Sequence, residues 1–143
     1  MARIDAIKPG DQLPSLVDTP DIVQSFLYNA ALWNAHRIHF DLPYATEAEG
    51  YPGLVVAGPL MGDWLTQCVL AWLGDDGRLA SIEYSNRQAA YIGETLTTSG
   101  KVVAVDRDAG TATLEVAVSN EAGDVITPGS AVVRFHETGG GKS

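Results

Sequence analysis

Residues 59–73 contain Leu60, Met61, Trp64, Leu65, Cys68, Val69, Leu70, Ala71, Trp72 and Leu73, with Asp63, Thr66 and Gln67 as the polar breaks. A helix apolar on nearly all sides must be covered on nearly all sides, so this segment demands a surrounding layer. Pro59 suits the first helical turn and Gly74 suits the end, giving both boundaries a physical cause. The residues beyond Gly74 supply that layer. Segments 79–84, 95–105, 111–118 and 125–135 are rich in Thr, Val and Ile with partial alternation, the pattern of strands. Asp108-Ala109-Gly110 and Asn120-Glu121-Ala122-Gly123 supply hairpin turns between them. One buried helix followed by an antiparallel meander predicts an α+β fold, a sheet curled around that helix.

Upstream, Ile22, Phe26, Ala30 and Trp33 recur at helical spacing behind Pro20, with Thr19 or Asp18 as the cap. This predicts an amphipathic helix over 20–34, and a short helical turn follows at 43–46. A chain of 143 residues with 45% hydrophobic content accommodates one core, read as a single domain over 1–138 with a flexible tail at 139–143. The net charge of −9 argues against broad contact with nucleic acid or anionic membranes. No apolar stretch approaches the roughly 20 residues a membrane helix needs, and the opening residues lack a signal-peptide pattern. The single cysteine, Cys68, sits in an apolar run as a small hydrophobe, consistent with a reducing cytoplasm.

The residues that could carry chemistry lie between the two helices, in Trp33-Asn34-Ala35-His36-Arg37-Ile38-His39-Phe40-Asp41 and Tyr51-Pro52-Gly53-Leu54-Val55-Val56-Ala57-Gly58-Pro59. Histidine titrates near neutrality, and His39 falls in a polar turn, so it is the candidate general base. Gly58 stands where the long helix begins, and free N–H groups there can hold an oxyanion. Asn34 can orient a water or a carbonyl but cannot accept a proton as a carboxylate does. His36 and His39 lie three apart without a matching Cys or His cluster, so no metal is expected. Asp63 offers a second carboxylate in the first turn of the helix, and Arg37, Arg78, Arg87 and Lys101 are possible phosphate contacts. Each of these residues has a purely structural alternative: Gly58 as a tight helix entry, Asn34 as a helix-terminal amide, Asp63 as a partner of the helix dipole.

The segments Asn34-Ala35-His36-Arg37-Ile38-His39-Phe40-Asp41, Tyr44-Ala45, Glu49-Gly50-Tyr51-Pro52-Gly53-Leu54-Val55-Val56, Gly58-Pro59-Leu60, and Gly93-Glu94-Thr95-Leu96 leading into Gly100-Lys101-Val102 resemble the MaoC-like acyl dehydratases and enoyl-CoA hydratases of the hotdog fold. The resemblance covers residues 20–135. It implies reversible addition of water to a trans-2-enoyl thioester, usually a coenzyme A ester, giving a 3-hydroxyacyl thioester in fatty acid metabolism. His39 takes the position of the family histidine and Gly58 that of the glycine whose N–H receives the thioester oxygen. Asn34 falls where the best-known branch has an Asp, and His36 where it commonly has an Asn; this chain resembles a branch with the Asn-x-His-Arg-Ile-His pattern. On this basis His36, Arg37, Tyr44, Val56, Ala57 and Arg87 are expected at the substrate, Arg87 against coenzyme A phosphate, with Trp33, Trp64 and Trp72 shaping the acyl pocket alongside Tyr44.

The resemblance implies no cofactor beyond the coenzyme A or acyl-carrier-protein thioester, and an assembly of at least two subunits, homomeric or heteromeric. Two other functions fit the same residues: a catalytically silent partner or acyl-CoA-binding subunit, favoured by Asn34, and a hotdog thioesterase using Asp63.

Overall fold

The computed structural model describes residues 3–137. Its elements are β1 (Leu16–Asp18), α1 (Ile22–Ala31), a 3-10 turn (Arg37–His39), a π-type turn (Tyr44–Ala48), α2 (Gly58–Leu73), β2 (Gly77–Tyr84), β3 (Leu96–Asp106), β4 (Thr111–Ser119) and β5 (Val125–Phe135). The five strands form one antiparallel sheet in the order β1-β3-β4-β5-β2. The expected tail at 139–143 lies outside the described residues.

Alternation builds the core. On β4, Ala112, Leu114, Val116 and Val118 are buried, and they join Leu96 and Val102 of β3 and Ile126, Ala131 and Val133 of β5. Against this layer α2 lays Met61, Leu65, Cys68, Val69 and Leu73, and it packs on β2, β3, β4 and β5 together. The predicted sheet around a central helix is therefore observed. The helix is not covered all round: Pro59, Asp63, Gln67, Leu70 and Ala71 form an exposed stripe. Two glycines set its fit. Gly74 closes α2 at φ 57°, and a Cβ at Gly62 would collide with the Tyr84 ring, so glycine lets that ring lie against the helix.

The sequence reading of α1 is corrected in three respects. The helix spans Ile22–Ala31 rather than 20–34, because Asp21, not Thr19 or Asp18, caps it by accepting the Gln24 N–H at 2.7 Å. Its apolar residues do not face the core. Ile22, Val23, Phe26 and Leu27 are each more than half exposed, while Ser25 and Asn29 are buried. Trp33 lies beyond the helix, at positive φ and 93% exposed, and is not walled in by the described residues. The strand β1 carries no periodic signal of its own; its three residues pair with β3 some eighty positions away.

Candidate active site

The segment after α1 is held by a run of short-range hydrogen bonds. Asn34 N–H donates to the Asn29 carbonyl at 2.8 Å, and Asn34 Oδ1 accepts the His36 N–H at 3.2 Å. His36 Nδ1 in turn accepts the Ile38 N–H at 3.3 Å, capping the turn that carries His39. The Arg37 guanidinium donates twice to Asp41 Oδ2, at 3.0 and 2.8 Å, and lies 4.2 Å over the Tyr44 ring. That hydrogen bond holds the Asp41 carboxyl below its usual range, helped by the Tyr44 N–H. Each partner is within a few residues, so the segment acquires its shape locally.

The rest of the site is long-range. Val55 N–H donates to the Ile38 carbonyl at 3.0 Å, and Val56 N–H to the Ala90 carbonyl at 2.8 Å, which ties the approach to α2 onto the histidine turn and onto the strand-to-strand connection. The buried His39 ring places Nδ1 2.7 Å from the Val55 carbonyl oxygen. A carbonyl only accepts, so Nδ1 carries a proton, and the neutral ring in this tautomer has its lone pair on Nε2.

His39 stands between two cavities. One, of about 260 Å³, is also lined by Val56, Gly58, Met61, Asn86 and Arg87. The other, about 160 Å³ and mostly apolar, is lined by Phe26, Asn29, Ala30, Asn34 and Phe40. The structure thus brings His39 to Gly58 on one side and to Asn34 on the other, while Asn34 and Gly58 share no cavity. Asn29 donates from Nδ2 to the Ser25 carbonyl at 2.8 Å, but its buried Oδ1 has no partner among the described residues.

Gly58 is the first residue of α2, so its N–H has no carbonyl one turn earlier inside the helix. A Cβ there would overlap Asn86 Nδ2. Ala57, buried, is the extended residue that caps the helix start. Arg87 lines the Gly58 cavity, and no ion pair engages it among the described residues.

Arg37 and Tyr44 are less available than their expected roles suggest. Arg37 is committed to Asp41, and the Tyr44 hydroxyl donates to Glu49 at 3.1 Å. His36 is exposed, with its ring 5.8 Å from that of His39 in an edge-on arrangement. Asp63 sits in the second turn of α2, not the first, and accepts the Tyr28 hydroxyl at 2.8 Å. It does not line the Gly58 cavity. Trp64 and Trp72 belong to the core. Asn86, which the structure adds to the site, carries no signal in the sequence.

A model of the hydroxyacyl-thioester dehydratase type 2 family matches residues 8–92, a span that contains Asn34, His39, Gly58 and Arg87. The chain belongs to this family. A mesaconyl-C(4)-CoA hydratase of Chloroflexus aurantiacus is 60% identical over 42 residues, which are 29% of this chain and 15% of that relative; the match thus spans a small part of the relative's length. Among solved structures, an (R)-hydratase of A. caviae involved in PHA biosynthesis superposes with a TM-score of 0.84 at 19% identity, over 92% of this chain and 98% of that one. The ChsH1-ChsH2 complex of Mycobacterium tuberculosis superposes at 0.80 with 22% identity, over 90% of this chain and 98% of that one. At such identities the likeness establishes the hotdog fold alone, as the sequence led us to expect. Among the described residues no group of three or more His, Cys, Asp or Glu is arranged to hold a metal ion, and no helix is long and apolar enough to cross a membrane.

Proposed function

We propose that this dehydratase-family chain adds water reversibly to a trans-2-enoyl thioester, preferentially the coenzyme A ester, to give the 3-hydroxyacyl thioester. The observation that carries the reading is the buried His39, a residue that lines the Gly58 cavity and whose Nδ1–H is spent on the Val55 carbonyl, so that Nε2 is the ring atom left to act as a base. In the hydration direction Nε2 takes a proton from water as the water oxygen bonds to Cβ. The enoyl π electrons move toward the thioester oxygen, where the Gly58 N–H stabilises the negative charge. The imidazolium then returns its proton to Cα, so the whole water molecule is added and His39 is regenerated.

Asn34 orients the water from the apolar cavity. Its Oδ1 already accepts the His36 amide, so its Nδ2 is the end left for a ligand. Arg87 contacts a coenzyme A phosphate, Val56 and Ala57 form the wall beside the thioester, and His36, Arg37 and Tyr44 support the histidine turn at the edge of the substrate site. The reaction needs no cofactor beyond the thioester. The chain works in the cytoplasm as at least a dimer, a reading supported by the exposed apolar side of α1, whose Phe26 also lines the cavity at His39.

The test is incubation of the chain with crotonyl-CoA and longer enoyl-CoA esters: conjugated-thioester absorbance should fall without release of free thiol. Thiol release would instead favour a thioesterase. A second reading, a silent subunit of a heteromeric hydratase, is favoured by Asn34 in the place of a carboxylate. It predicts no activity alone and activity on mixing with a catalytic chain.

A further inference from the structure

The most informative unassigned group at the site is the carboxamide of Asn86, in the segment that leaves β2. Its neighbours are pinned to β5: Ser85 N–H donates to the Pro128 carbonyl at 3.1 Å and Arg87 N–H to the Ile126 carbonyl at 2.9 Å. Asn86 is itself exposed, but its oxygen end is held, because the fully buried Thr127 donates its hydroxyl to Asn86 Oδ1 at 2.9 Å. With the oxygen end held there, the NH2 end is turned to Gly58, so close that a Cβ at Gly58 would overlap Nδ2 and stand 3.1 Å from Cγ. Nδ2 donates to no group among the described residues. Asn86, Gly58 and His39 line one cavity.

We infer that Asn86 is a catalytic residue, the second donor to the thioester oxygen, so that its Nδ2–H and the Gly58 N–H form a pair around the charge that develops there. The inference rests on the hydration reading above and deepens it. A neutral amide held before the substrate arrives is well suited to this role, since it adds no charge to the resting site and needs no reorientation as the oxygen becomes negative. It also gives a chemical reason for glycine at position 58. Any side chain there would push the second donor away.

The experiment compares the parent chain with His39→Ala, Asn86→Ala and Asn86→Asp in crotonyl-CoA hydration, and records the thioester carbonyl stretch of bound ligand by infrared difference spectroscopy. Asn86→Ala should lower kcat about 100-fold with a smaller change in KM, the usual cost of one oxyanion donor, and should move the carbonyl stretch to higher frequency. Asn86→Asp, nearly isosteric, keeps the inference falsifiable if the alanine variant does not fold. It should be slower still at neutral pH, and its activity relative to the parent at the same pH should rise as acidification protonates the new carboxyl, a profile that a merely structural residue would not produce. Full activity and an unmoved carbonyl band in the Asn86 variants, with His39→Ala inactive, would overturn the inference and leave the hydration reading intact. Should His39→Ala stay active, or the chain alone be silent, the carbonyl band still decides: a shift in either Asn86 variant supports the donor, and no shift removes it.

Discussion

The two helices make opposite use of apolar residues. In α2, Met61, Leu65, Cys68, Val69 and Leu73 are almost wholly inaccessible, and the helix stands on the sheet as the centre of the core. In α1, Ile22, Val23, Phe26 and Leu27 are 56 to 62% exposed, and the polar Ser25 and Asn29 are the residues turned inward. Helical periodicity alone reports that a stripe is to be covered, not by what. For α2 the covering is the chain's own sheet. For α1 the described residues supply none, and the apolar side runs from the helix to the cavity where Phe26 and Phe40 approach His39. The difference separates a helix that holds the fold from one that equips the site and its surroundings.

The largest effect that sharpens this contrast is a matched truncation. Leu65→Ala in α2 should cost about 3 kcal/mol in denaturant unfolding, through lost transfer energy and the cavity left behind. Leu27→Ala in α1 should cost less than about 0.5 kcal/mol under conditions where the chain is monomeric. Equal costs would erase the distinction. Next, the double substitution Val23→Glu and Leu27→Glu should leave the monomer's unfolding midpoint nearly unchanged while lowering the mass seen in sedimentation. An unchanged mass would mean that the α1 face is not the contact.

A smaller effect concerns the link between the helices, the Tyr28 hydroxyl donating to Asp63 across from α1 to α2. Tyr28→Phe should cost about 1 kcal/mol. The same variant should change the alkaline limb. Burial first, and then the Asp63 hydrogen bond, raise the Tyr28 pKa above its ordinary 10.0. The native state therefore holds the proton longer than the unfolded chain, so this contribution is complete below pH 10 and is lost as pH rises beyond it. The phenylalanine variant should lack that decline.

The smallest effect is the Arg37–Asp41 pair below the histidine turn. The pairing lowers the Asp41 pKa from 3.8, so its contribution is present above that value and disappears as pH falls through the lower folded value. Asp41→Asn should flatten the acid limb of the unfolding curve and leave the neutral midpoint almost unmoved, since exposed pairs contribute little.

These contrasts also mark what could be read from the sequence. The α2 helix was legible because Pro59, Gly74 and an apolar run broken only by Asp63, Thr66 and Gln67 all give the same answer, and β3, β4 and β5 because turn residues bracket alternating strands. Local chemistry also placed the histidine turn, whose partners lie within a few residues. The orientation of α1 was not legible: Ile22, Phe26 and Ala30 have the spacing of a core face, and only the folded sheet reveals that Ser25 and Asn29 occupy that side. The His39 tautomer depends on a carbonyl 16 residues away. Asn86 was invisible for the same reason, since one asparagine after a strand has no spacing to notice until the sheet carries it to Gly58.

The central claim is that His39 is the proton acceptor of a hydration reaction. The most direct measurement is crotonyl-CoA hydration by the chain and by His39→Ala at equal concentration, under whichever assembly conditions support the parent activity. A general base of this kind contributes about 10²- to 10⁴-fold, and the account predicts a fall in kcat of that order with the variant still folded. Undiminished hydration by His39→Ala would contradict it.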